Sequence, residues 1–154
     1  MLQRKQTLFL LLSIAVSTWC LAMPLGVFSP IQTMGTDIQL FNLWMVMQDG
    51  SRSFSVWPLF CLLLMSCTNA AYCITAYKNR PFQSKLCMLN ILLIIGWYIY
   101  LVLVGYVFNK PMDNSEFQPS WPSILPLVVL IFHVLARRGI IADEKLVRSA
   151  DRFR

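Results

Sequence analysis

The chain has 154 residues, 57% of them hydrophobic and only 13% charged, with a formal net charge of +6. Soluble domains average about 25% charged residues, so this composition lies outside the soluble globular class and points to lipid. Basic and acidic residues interleave and no nucleic-acid-binding motif is present, so the positive balance suits anionic lipid head groups and excludes nucleic acid as a partner.

Crossing about 30 Å of hydrocarbon takes roughly 20 apolar residues in a helix, and four runs free of Asp, Glu, Lys and Arg reach or approach that length. The first, 8–28 (LFLLLSIAVSTWCLAMPLGVF), would be about 31 Å long. Arg4 and Lys5 precede it, as they would in a secretory signal with Cys20 as a lipidated cysteine. The bulky Trp19 and the apolar run that continues past it argue against that reading. The outward loop 29–55 follows and contains LFNLWMVMQDGSRSFSV. Asp49-Gly50 predicts a β-hairpin with a type I′ turn, and its strand-favouring flanks agree. Because Leu43 to Met47 is apolar on both faces, the hairpin needs cover. It caps its own helices, dips into the membrane interface through Trp44, or presents Trp44, Met45 and Met47 to a partner.

Run two covers about 56–77 and run three 86–108. The tight basic turn KNRPFQSK between them makes the pair an antiparallel helical hairpin and sets Lys78, Arg80 and Lys85 against head groups. Residues 109–120 carry Pro111 and Pro119 and read as a plain connector. Run four, 121–136, would span about 24 Å and borrows length from the snorkelling stems of Arg137 and Arg138 or from local thinning. Gly139 permits a break, after which the tail 137–154 reads as an amphipathic helix with Leu146, Ala150 and Phe153 on its apolar face. Glu144 with Arg148, and Arg148 with Asp151, have helical ion-pair spacing. Three placements suit this tail: on the lipid surface, against cytoplasmic protein, or as a continuation of run four into water with a solvated face.

Orientation follows from the cations. Arg4, Lys5, Lys78, Arg80, Lys85, Arg137, Arg138, Lys145, Arg148, Arg152 and Arg154 fall on one side of the four runs, and only Arg52 and Lys110 on the other. Cytoplasmic flanks carry the excess of Lys and Arg. The expected architecture is therefore an all-α membrane protein: one domain, 1–154, a four-transmembrane-helix bundle with both termini cytoplasmic, multi-pass in the cell inner membrane. The outward hairpin and the amphipathic C-terminal helix complete it. No internal repeat supports an inverted-repeat transporter.

None of the four runs holds an ionisable carboxylate, Lys or Arg that would mark an ion path. Asn69, Asn90 and His133 fall at similar depth and form a candidate polar layer, either as interhelical hydrogen-bonding glue or as a site for a polar group. A lone His without a positioned carboxylate or thiol builds no acid-base or nucleophilic centre, so no enzyme is expected. Cys20, Cys61, Cys67, Cys73 and Cys87 lack CxxC or zinc spacing and read as small hydrophobes; no metal or cofactor is implied. Small residues four apart, Ser13 with Ser17, Ala22 with Gly26 and Ser66 with Ala70, together with Gly96 and Gly105, favour close helix approach. Trp57, Tyr106 and Trp121 mark the outer interface and Tyr77 the inner one.

Gln3-Arg4 with Gln6-Thr7, Tyr77-Lys78-Asn79-Arg80 leading through Lys85-Leu86-Cys87 to Leu89-Asn90-Ile91-Leu92, and the ending Asp143-Glu144-Lys145-Leu146-Val147-Arg148-Ser149-Ala150-Asp151-Arg152 carry a resemblance. On these motifs the chain resembles an uncharacterised family of small four-helix inner-membrane proteins of Bacteroidetes, domain of unknown function 4293. The resemblance implies a location and four spans but no activity. The functional expectation is a structural or interaction component that contacts membrane lipids and a protein partner or second copy. The competing expectation is a small transporter or lipid-handling protein using the polar layer.

Overall fold

The computed structural model describes residues 2–30, 37–76, 79–109 and 115–152. Lys78, Tyr77 and Phe153 lie outside the described residues, as do the side chains of Arg148, Ala150, Asp151 and Arg152, and with them both expected ion pairs of Arg148. The elements run α1 (Leu2–Ala22), β1 (Gly26–Pro30), β2 (Ile38–Leu40), β3 (Met45–Val46), β4 (Arg52–Ser53), α2 (Trp57–Thr75), α3 (Arg80–Asn109), β5 (Ser115–Pro119), a 3-10 turn (Trp121–Ile124) and α4 (Leu125–Arg152). Three helical stretches are long and apolar enough to cross a membrane: Trp57–Thr75, Arg80–Val107 and Trp121–Val147. The apolar part of α1, Gln6–Ala22, is shorter.

The first run therefore splits. Pro24 lacks an amide hydrogen and pushes Met23 out of helical geometry, so α1 stops at Ala22, and Gly26, Val27 and Phe28 enter a strand instead. The connector 109–120 is likewise not plain, because residues 115–119 form β5. Strand order is β4-β3-β2-β1-β5, antiparallel throughout. The register sets Gly26 opposite Leu40 on one side and opposite Pro119 on the other. Leu25 adds one bond to each side, its N–H to Leu40 O at 2.7 Å and its carbonyl from Ser120 N at 2.8 Å. The α1–α2 and α3–α4 connections are thus one sheet at one end of the helices.

The Asp49-Gly50 hairpin exists with a different turn. Gly50 N–H donates to Met47 O at 3.0 Å and Met47 N–H to Ser51 O at 2.9 Å, with Gly50 at φ 77°. That is a three-residue loop, a type I-like turn followed by a left-handed residue, rather than the two-residue type I′ turn. Asp49 selects it: its carboxylate accepts from Ser51 Oγ at 2.6 Å and Ser51 N at 3.0 Å.

Each helix packs on two neighbours, α1 on α2 and α4, α3 on α2 and α4. Gly139 does not break α4, which runs on to Arg152. A glycine inside a helix costs about 1 kcal/mol relative to alanine. Here it makes room, since a Cβ at Gly139 would sit 3.0 Å from Gln6 Cγ. Gly105 does the same for the Phe117 ring at 3.3 Å, whereas Gly96 meets nothing.

Apolar burial forms two separate clusters. At the sheet end, Cys20, Leu25, Phe28, Ile38, Leu40, Met45, Val56, Leu59, Leu63, Trp97, Leu101 and Val104 join the inner face of the sheet to the helix ends. Toward the other end, Leu10, Cys73, Leu86, Cys87, Ala136 and Ile140 form the second.

Candidate functional site

What separates the two clusters is polar. Each helix carries a buried stripe at helical spacing: Leu10, Ser13, Ser17 and Cys20 on α1; Leu63, Ser66, Ala70 and Cys73 on α2; Cys87, Asn90, Ile94 and Trp97 on α3; Val129, His133 and Ala136 on α4. One turn from the second cluster toward the sheet, the stripes offer Ser13, Asn90 and His133, with Asn69 beside them, and Ser17 and Ser66 come one turn further. Of the three residues expected to share a layer, Asn69 and Asn90 meet. Asn69 Nδ2 donates to Asn90 Oδ1 at 2.9 Å and to Leu86 O at 3.2 Å, tying α2 to α3. His133 bonds to neither.

Satisfaction is incomplete in this layer. Ser13 Oγ donates to Leu10 O at 2.7 Å, but Ser66 Oγ, Asn90 Nδ2 and both ring nitrogens of His133 find no partner among the described residues. Each orphaned buried atom costs about 1–3 kcal/mol.

At the tail end, Arg80 is engaged. Its guanidinium donates to Asp143 O at 3.1 Å and pairs with Asp143 Oδ2 at 3.3 Å, linking the start of α3 to α4. Lys85, Arg138 and Lys145 are exposed, as are Leu146 at 57% and Val147 at 44%, so an apolar patch flanked by cations faces outward. Arg137 is half-buried.

At the sheet end, Met45 is fully buried and Met47 packs against the same cluster, so both serve as the lining of the sheet. Trp44 is half-buried, with Arg52 stacked 5.2 Å above its ring and Phe41 and Phe54 beside it. Trp57, Tyr106 and Trp121 are more than half exposed near this end.

Sequence reasoning missed two constellations. Asn42, fully buried in the loop after β2, donates from Nδ2 to Cys20 O at 2.8 Å and accepts from Trp97 Nε1 at 3.2 Å, joining sheet, α1 and α3. Cys73 and Cys87 meet with sulfurs 3.6 Å apart. The second was findable: in an antiparallel hairpin turning near Arg80, residues equally distant from the turn face one another, and Asn69 with Asn90 obeys the same arithmetic.

Chain-wide likeness decides the family. A family model described as Domain of unknown function (DUF4293) matches residues 2–153. The chain belongs to this family. In this DUF4293 protein the match takes in α1 through α4, the sheet and the Arg80–Asp143 link, so sheet and helices form part of one family unit. No curated protein matches the DUF4293 chain.

Proposed function

We propose that this DUF4293 protein is a non-catalytic interaction or structural component of the cell inner membrane, a four-helix bundle with both termini cytoplasmic. The sheet would face the outside, and α4 would carry a cationic, partly apolar surface to partners or anionic lipids inside. The observation that carries the reading lies at the C-terminal end of α4: Leu146 and Val147, the last residues of the apolar stretch Trp121–Val147, stand exposed next to Lys145. Continuity supports docking, because a rigid helical extension presents its patch at a fixed angle and loses little entropy on binding.

Pairing of β1 with β5 supports four crossings, since both connections meet at one end and every helix must then traverse the same thickness. The apolar part of α1, about 25 Å long, is short for the hydrocarbon layer. Local thinning accommodates it at modest cost. A transport path would have to breach both hydrophobic clusters that close the polar layer, which favours the interaction reading.

Two measurements test this. Reporter fusions after Arg154 should read cytoplasmic and those at Asp49 periplasmic; the reverse pattern overturns the orientation. Crosslinking from Leu146 in native membranes should recover a recurrent protein or lipid adduct, and its absence at every tail position removes the interaction role.

A further inference from the structure

Toward the sheet, α3 borders an open groove of about 620 Å³, with Leu101, Val102 and Gly105 on one wall and Phe117 and Pro119 of β5 on the other. Gly105 is what lets the strand come so close, since a Cβ there would lie 3.3 Å from the Phe117 ring. The two ends of the groove differ in chemistry. At one, the hydroxyl of Tyr98 donates to Ser123 O at 2.9 Å and that of Ser123 to Ser120 O at 2.6 Å, so neither has a hydrogen to offer a ligand. At the other, Glu116 is exposed, and no cation among the described residues pairs with it.

The length suits one leaflet. From Tyr98 to Tyr106 the helix rises about 12 Å, and half of a hydrocarbon layer of about 30 Å is roughly 15 Å. This placement rests on the crossing of α3 proposed above. Phe117 meets α3 at Gly105, close to the end of the apolar stretch at Val107, so the neighbouring Glu116 stands where head groups begin. An acyl chain can lie on Leu101, Val102 and Phe117 without asking for a polar partner. The carboxylate above it accepts hydrogen bonds only, repels a phosphate, and bonds best to a charged N–H donor. A methylated ammonium has no N–H to give, and an apolar helix from a second copy would take the carboxylate out of water without a countercharge. We propose that the groove holds a phospholipid with a primary ammonium head group, its chain against α3 and β5 and its ammonium on Glu116.

The purified full chain is reconstituted in vesicles of equal phosphatidylethanolamine and phosphatidylcholine with the same acyl chains, released in mild detergent, and weighed with its bound lipid by native mass spectrometry. Both lipids are zwitterionic, so the cationic end of α4 favours neither and its role is judged separately. Lipid should stay bound, with the ethanolamine form favoured about threefold, the preference that an exposed ion pair of ordinary strength supplies. Glu116→Gln should remove the preference while lipid stays bound. Val102→Trp, which fills the groove, should strip most of the retained lipid, whereas Leu92→Trp, also exposed on α3 but outside the groove, should not. Helical circular dichroism identifies the folded variants, and Glu116→Gln keeps the test open if Val102→Trp has not folded. Reporter fusions at Asn79 and Ser115 check the crossing of α3 on their own, so its failure is told apart from that of the groove. Loss of all lipid from the unmodified protein, equal retention of both lipids, or a preference unmoved by Glu116→Gln overturns the proposal. So does retention unmoved by Val102→Trp, or a lipid-free dimer that this variant breaks.

Discussion

Truncating Asn42 to alanine should be among the most damaging single changes in the sheet-end region. The side chain is completely buried and makes two bonds of different character. Losing the bond to Cys20 O forfeits a typical net contribution of about 0.5–1.5 kcal/mol, since that carbonyl keeps a weaker partner in Met23 N at 3.3 Å. Losing Oδ1 leaves the fully buried Trp97 N–H with nothing, a desolvation cost of about 1–3 kcal/mol. The expected loss is about 2–4 kcal/mol. Denaturation of the purified protein in detergent, followed by circular dichroism, measures it. Trp97→Phe supplies the control by removing the orphaned donor: in that background Asn42→Ala should cost at least about 1 kcal/mol less, the coupling expected of directly bonded residues. A loss under about 0.5 kcal/mol, or one identical in both backgrounds, would show that Asn42 does not join the sheet to α3 as described.

Gly26→Ala should destabilise by about 1–3 kcal/mol, because the new Cβ would lie 2.6 Å from the Phe117 ring and 2.9 Å from the rigid Gln118 carbonyl. The Tm of the variant checks it, and Gly96→Ala, which meets nothing, is the control. The Ser51 hydroxyl and amide hold the Asp49 carboxyl below its ordinary pKa of 3.8. Since the folded value is the lower one, the turn's contribution is full above the ordinary value and is lost as pH falls through the depressed one. An acid titration of the Gly50 amide shift should show that step, and Asp49→Asn should abolish it. Asp143→Asn should cost about 1 kcal/mol by weakening a partly buried pair with Arg80, and adding Arg80→Gln should cost about 0.5–1.5 kcal/mol more because Asp143 O then loses its donor; denaturation followed by circular dichroism measures both.

Much of the helical framework was legible because its signals are local. Uncharged runs bounded by Arg4 and Lys5, by Arg80 and Lys85, and by Arg137 and Arg138 mark the apolar stretches of the helices. The sheet was legible only at the Asp49-Gly50 hairpin. Strand β1 was hidden inside an apolar run, where Val27 and Phe28 suit a helix as well as a strand, and Pro24 was the one residue that told them apart. Strand β5 has no pattern of its own: Ser115–Pro119 is polar and ends in proline, and it is a strand because β1 offers it an edge. At the polar layer, residue types and depth were readable, while the pairing of Asn69 with Asn90 and the isolation of His133 depend on helix rotation, which hydropathy does not encode.

The pairing of β1 with β5 also dictates an order of assembly. β1 emerges from the ribosome early, and its partner at Ser115–Pro119 follows only after α2 and α3 have been made. Until then the edge of β1 that receives β5 is open, the kind of surface that recruits foreign strands. The sheet closes only once α2 and α3 have been made, and a chain stopped before Ser115 would leave that edge unpaired.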